Sequence, residues 1–84
     1  LSFRLGDAIP AERLEKAVRQ GAGQFLVDLD LFDTYRDPAA TGWRALGYRL
    51  RLQAADRSLT DADIAQIRRG IETAASKLGA ELRS

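Results

Sequence analysis

The sequence predicts an α+β sandwich, a four-stranded antiparallel sheet with two helices on one face. Three observations predict it. Four segments alternate apolar and polar residues with the period of two that a strand requires. Two other segments place apolar residues three and four apart, as one face of a helix does. Their order along the chain is βαββαβ. Two helices with one apolar stripe each can cover only one face of such a sheet, so the other face is predicted to be open.

The first strand is read from Leu1, Phe3 and Leu5, which alternate with Ser2 and Arg4. Ile9-Pro10 opens the first helix, because proline is tolerated where the first turn has no N–H partner to lose. Leu14, Ala17 and Val18 form its apolar stripe. Glu12, Arg13, Glu15, Lys16 and Arg19 take the solvent arc, and Gly21 and Gly23 are expected to end the helix.

The second strand, Phe25 to Tyr35, carries an irregularity. Val27, Leu29 and Leu31 alternate with Asp28 and Asp30, so the aspartates face outward. The same phase continued would bury Asp33, and burying an unpaired carboxylate is costly. A phase slip near Leu31-Phe32 is therefore expected, of the kind a β-bulge makes with one extra residue. After it, Phe32 and Thr34 should point in, and Asp33 and Tyr35 out.

A turn-rich loop follows, from Asp37-Pro38 to Thr41-Gly42. The third strand, Arg44 to Gln53, turns Leu46, Tyr48, Leu50 and Leu52 inward and Ala45, Gly47, Arg49 and Arg51 outward. Thr60 is placed as the N-cap of the second helix, with Asp61 and Asp63 in the favourable first turn. Ile64, Ile67, Ile71, Ala74, Ala75 and Leu78 form that helix's apolar stripe, and Gly79 closes it. Ala80 to Arg83 makes a short last strand, with Leu82 inward and Arg83 outward.

The 84 residues suffice for one domain with a modest core, and leave no room for a deep catalytic cleft beside it. The chain has no cysteine, which excludes disulfides and thiolate metal sites, and no histidine, which removes the commonest general base and metal ligand. No apolar run approaches the roughly 20 residues that span a bilayer. Without an initiating methionine, the chain is expected to be a single domain, residues 1–84, cut from a longer polypeptide. The net charge of +1 carries no polyanion signal for the domain as a whole. Its distribution is uneven: residues 1–35 carry −2 and residues 36–69 carry +3. Eleven of the thirteen cations are arginine, which suits planar stacking and phosphate forks but is equally the mark of a GC-rich genome.

The open face predicted from strand phase carries Ser2 and Arg4 from the first strand, and Asp28, Asp30, Asp33 and Tyr35 from the second. Gly47, Arg49 and Arg51 come from the third strand, and Glu81 and Arg83 from the last. An open sheet with an aromatic and arginines is how the RNA-recognition-motif type of fold meets unpaired bases. Residue chemistry alone leaves each side chain two readings. Tyr35 is either a stacking platform or a lid folded over the sheet edge. Asp33 either reads a base edge or is a solvated or ion-paired carboxylate. Arg49 and Arg51 either hold RNA or pair across the strands with Asp28 and Asp30. Arg83 either reaches a ligand or frays with the chain end. Trp43 is either a second ring for stacking or a loop side chain pinned at the domain edge.

Four blocks in this order resemble a known family. They are Leu31-Phe32-Asp33-Thr34-Tyr35-Arg36, Ala45 to Leu52, Asp56 to Asp63, and Leu78-Gly79-Ala80-Glu81-Leu82-Arg83. The chain resembles, over nearly its whole length, the ferredoxin-fold anticodon-binding domain that closes the β chain of bacterial phenylalanyl-tRNA synthetase. The resemblance implies a ferredoxin-like fold. It also implies that Tyr35 stacks on an anticodon base, that Asp33 reads a base edge (the first anticodon base of phenylalanine tRNA being guanine), and that Arg83 reaches the anticodon. Arg49, Arg51, Arg36 and Arg44 would then be RNA contacts, the last two from either side of the 37–42 loop. The sequence departs from the family at Arg44-Ala45, where a Lys-Ser pair is common, so a hydroxyl that can contact the anticodon is missing.

The resemblance further implies that the domain is not itself an enzyme and holds no cofactor. ATP and magnesium would be used elsewhere in a cytoplasmic parent, in which the domain joins the rest of the β chain and an α subunit. Two other function classes compete. A hydrolase on this topology, of the acylphosphatase kind, would need an arginine and an asparagine. The chain has no asparagine, and the Gly6-Asp7-Ala8-Ile9 loop is acidic where a phosphate cradle should be basic. A regulatory or protein-interaction domain using the open face is the remaining alternative.

Overall fold

The computed structural model of this chain describes residues 1–36, 38–39 and 41–83. Strand β1 (Ser2–Gly6) leads through helix α1 (Ala11–Ala22) and a 3-10 turn (Gly23–Phe25) to β2 (Leu26–Tyr35). β3 (Trp43–Leu52), α2 (Asp61–Ser76) and the two-residue β4 (Glu81–Leu82) follow. The sheet order is β2-β3-β1-β4 and every pairing is antiparallel. This is the α+β sandwich that the periodicity predicts, and the ferredoxin-like arrangement that the resemblance implies.

Side chains of Phe3, Leu5, Leu46 and Tyr48 from the sheet meet Leu14 and Val18 of α1 and Ile67, Ile71 and Ala75 of α2, all buried. Each large apolar side chain buried this way contributes about 1.5–3 kcal/mol. The Tyr48 ring stands edge-on to Phe3 at 6.2 Å between centroids, and its hydroxyl donates to Oε2 of Glu15 at 3.0 Å. Glu15 is therefore more than a solvent-arc residue, because it satisfies the polar end of a core side chain.

Three features of the elements differ from expectation. Gly21 does not end α1. It lies one residue inside the helix, and Gly23, at φ 60°, makes the break. The helices cross at Gly21 and Gly70 with their backbones in contact, since a Cβ on Gly21 would lie 2.5 Å from Ile71 Cα. At the start of β2, Val27 is exposed and Phe25 and Leu26 pack against the core instead, because a register shift falls between Leu26 and Asp28. Ile64, assigned to the apolar stripe of α2, is 46% exposed at the helix's first turn, beyond the reach of the core.

The second helix begins where the sequence places it. Thr60 Oγ1 accepts from the Asp63 N–H at 3.1 Å, while the Asp63 carboxylate accepts from the Thr60 N–H at 2.9 Å, a reciprocal capping box. Asp63 also pairs with Arg57. Among the described residues, no helix is long and apolar enough to cross a membrane.

Candidate nucleic-acid interface

Residues directly opposite one another in an antiparallel ladder put their side chains on the same face. The register therefore maps the uncovered side of the sheet in rows. One row crosses all four strands, as Tyr35 faces Ala45, Ala45 faces Arg4, and Arg4 faces Glu81. The next runs from Asp33 to Gly47 to Ser2. Beyond it, Asp30 faces Arg49 and Asp28 faces Arg51, and at the opposite end Trp43 faces Gly6. The centre of the face thus has a floor of Ala45, Gly47 and Ser2. Small side chains keep this floor low, with the space over Gly47 taken by the Phe32 ring.

The expected bulge lies at Phe32, since Leu31 pairs with Tyr48 and Asp33 with Gly47, with one extra residue between them. Its consequence for Phe32 is the reverse of the expectation. A Cβ placed on Gly47, whose side-chain direction is the open face, would lie 3.2 Å from Phe32 Cζ and 3.4 Å from Asp33 Cβ. Both residues that oppose Gly47 therefore stand on the open side, and Phe32 is 59% exposed. The absence of a side chain at Gly47 is what gives the ring its place. Thr34, opposite Leu46, does point to the helix side.

Asp33 and Tyr35 share the open face, with Tyr35 56% exposed. Arg49 and Arg51 lie on it directly opposite Asp30 and Asp28, yet among the described residues no ion pair joins them. The Arg49 guanidinium sits instead 5.4 Å from the Phe32 ring centroid. Arg83 is not frayed from the sheet. Its N–H donates to the Ser2 carbonyl at 2.8 Å, and its guanidinium lies 3.7 Å from Glu81. Phe32, Tyr35, Arg49, Arg51, Asp33 and Arg83 are thus brought onto one surface.

Arg36 and Arg44 do not join it. Arg36 Nη1 donates to Asp7 Oδ2 at 2.6 Å. Arg44 faces Leu5 across the ladder, which turns it to the helix side. There it donates to the carbonyls of Gly6 and Ile9, both at 2.9 Å, with its side chain only 14% exposed. The Asp7 N–H also donates to the Gly42 carbonyl at 2.9 Å. The acidic 6–9 loop is thus a clasp that ties β1 to the β2–β3 hairpin, and these two arginines serve it. Of the hairpin loop, Asp37 and Ala40 lie outside the described residues.

Strand phase places Arg4 on this face but does not reveal its partner. Its Cζ lies 4.2 Å from the centroid of the Trp43 ring, a cation–π stack at the edge of the small-residue floor. The signal was the outward phase of Arg4 in its strand and the position of Trp43 two residues before the outward-facing Ala45, which becomes a contact only once the β1–β3 register is known. Among the described residues, no cluster of three or more histidine, cysteine, aspartate or glutamate side chains is arranged to hold a metal ion.

Residues 1–83 match the family model for the ferredoxin-fold anticodon binding domain. The chain is similar to the phenylalanine–tRNA ligase beta subunit of Symbiobacterium thermophilum, 44% identical over 77 residues, covering 90% of this chain and 9% of that protein. It is 41% identical over 78 residues to the same subunit of Thermobifida fusca, covering 90% of this chain and 9% of that protein. With that of Mycobacterium leprae it shares 34% identity over 86 aligned positions, covering 100% of this chain and 10% of that protein. The chain spans about a tenth of the length of the curated relatives it matches.

Proposed function

This chain belongs to the ferredoxin-fold anticodon-binding domain family, and we propose that its open sheet face holds the anticodon stem-loop of phenylalanine tRNA. The observation that supports this best is the placement of Tyr35 and Asp33 together, exposed, beside the Ala45–Gly47 floor. Tyr35 stacks on one unpaired base, a contact worth roughly 1–3 kcal/mol. The Asp33 carboxylate accepts from the donor edge of guanine, which supplies the discrimination that stacking lacks. Phe32 extends the apolar side of the platform. Arg49, Arg51 and Arg83 provide positive charge around it. Arg36 and Arg44 act on RNA only through the clasp they make with Asp7.

On this reading residues 1–84 work as one anticodon-binding domain at the end of the β chain of a cytoplasmic phenylalanine–tRNA ligase. Their partners are the remainder of that chain, its α subunit and the tRNA. The domain itself performs no reaction and needs no cofactor, while ATP and magnesium serve a catalytic centre elsewhere. So few contacts make the isolated domain a weak binder. The other tRNA contacts of the enzyme raise the effective concentration of the loop at this face.

Titration of the chain with a phenylalanine anticodon stem-loop and a base-scrambled control, at low and moderate salt, tests the reading. The expected result is preference for the cognate loop, weakening as salt rises, and a loss of roughly 5- to 150-fold on Tyr35→Ala. Equal affinity for the two loops would overturn it and leave only a generic basic surface.

A further inference from the structure

Resting on that reading, we propose that Trp43 and Arg4 form a second contact on the open face, in which Trp43 braces Arg4 and the Arg4 guanidinium holds a phosphate of the bound strand. Three observations carry it. The guanidinium lies 4.2 Å over the indole, which fixes the direction of a side chain that would otherwise be free to rotate. Arg4 directly opposes Glu81 in the ladder, yet among the described residues Glu81 pairs with Arg83 instead and Arg4 has no ion pair or side-chain hydrogen bond. Its planar set of N–H donors is therefore held in place and unused.

The third observation is position. Arg4 and Tyr35 flank Ala45 in one row of the sheet. Two strand spacings of about 4.8 Å separate their backbones. A nucleotide whose base lies on Tyr35 and whose backbone runs across the floor therefore brings a phosphate within reach of Arg4. Ala45 offers no hydroxyl between them, so the polar contact nearest the row on that side comes from Arg4. A guanidinium with one face on an indole presents its edge to the ligand, and that edge matches a phosphate. Bracing also lowers the entropy lost when the side chain is immobilised by RNA.

The assignment predicts a signature distinct from that of base reading. Arg4→Ala should weaken cognate and scrambled loops by the same factor, about tenfold at low salt. It should also reduce the slope of log K against log salt by about 0.7, the value for one single-strand phosphate contact. Arg4→Lys should keep the slope and recover only part of the affinity. Trp43→Leu should weaken binding with the slope intact, because the charge remains but its brace is gone. Thermal unfolding of each variant separates these losses from misfolding. If Arg4→Ala binds as the parent does while Tyr35→Ala is impaired, this inference falls and the anticodon reading stands. If Arg4→Ala alters the ratio between the two loops, Arg4 reads a base and the phosphate assignment is overturned. If neither substitution changes binding, both fall together.

Discussion

Tyr35 and Tyr48 are set to opposite tasks by the alternation of the strands that carry them. Tyr48 is 1% exposed with its hydroxyl on Glu15, whereas Tyr35 is 56% exposed on the open face. Burial, and then the hydrogen bond to Glu15, raise the Tyr48 phenol well above the ordinary tyrosine value, so it remains a donor throughout the working pH range. Tyr48→Phe keeps the ring and removes that donor. We expect a stability loss of about 0.5–1.5 kcal/mol by urea unfolding, with stem-loop affinity unchanged. Tyr35→Phe keeps a stacking ring at an exposed site, so both stability and affinity should stay near the parent values. The sides of both tyrosines were legible in the sequence, Tyr48 from the unbroken alternation of its strand and Tyr35 from the phase slip that keeps Asp33 out of the core. The role of Arg44 was not. It lies next to the outward-facing Ala45 in a strand that alternates, so its helix-side direction was implied, but the carbonyls of Gly6 and Ile9 that receive it come from a segment more than thirty residues away.

Among the elements, α2 shows how a few exposed polar groups set a helix start. Asp63 accepts from Arg57 and from the Thr60 backbone, and these bonds, the Arg57 one first, hold its carboxyl down at about 2. The ordinary aspartate value is about 3.9. Because the folded-state value is the lower one, the stabilisation is fully present above about pH 4 and is lost as the pH falls toward 2. Thermal unfolding measured between pH 5 and 2 should therefore show an acid limb that flattens in Asp63→Asn. A limb of equal steepness in the variant would assign the acid sensitivity to other carboxylates. Thr60 as N-cap was legible from the Thr-Asp-Ala-Asp pattern alone, whereas the Arg57 partner was not, since nothing in a loop sequence dictates which way a long side chain folds back. The bulge in β2 was legible for a different reason. Continuing the phase would have buried Asp33, and the charge cost excludes that. The direction of Phe32 was hidden, because it depends on Gly47 of the facing strand leaving room for a ring.

At the scale of the whole molecule, the helix layer and the open side of the sheet are separate surfaces of one core, so changes to one can be tested against the other. The helices meet at Gly21 and Gly70, and sequence alone misassigned Gly21 as a stop because a glycine near a helix end ordinarily reads as a terminator. Only the crossing with a helix fifty residues away explains why nothing larger fits. A Cβ at position 21 would stand 2.5 Å from Ile71 Cα, and 2.6 Å from both the Ile71 nitrogen and the Gly70 carbonyl oxygen. All three are backbone atoms, so no side chain can swing aside, and α1 and α2 must move apart over a core that includes Ile71 and Val18. The intrinsic helix preference works the other way, as alanine is favoured over glycine inside a helix by about 1 kcal/mol. The sign of Gly21→Ala therefore decides between the two effects. We expect the crossing to dominate and urea unfolding to show a loss of about 1–3 kcal/mol with an unchanged m-value. The folded fraction should still bind the stem-loop with parental affinity, since Tyr35, Asp33 and Arg4 lie on the other side of the sheet. A gain in stability would mean that the helices part at little cost, and that the Gly21–Gly70 contact does not set the spacing of the helix layer.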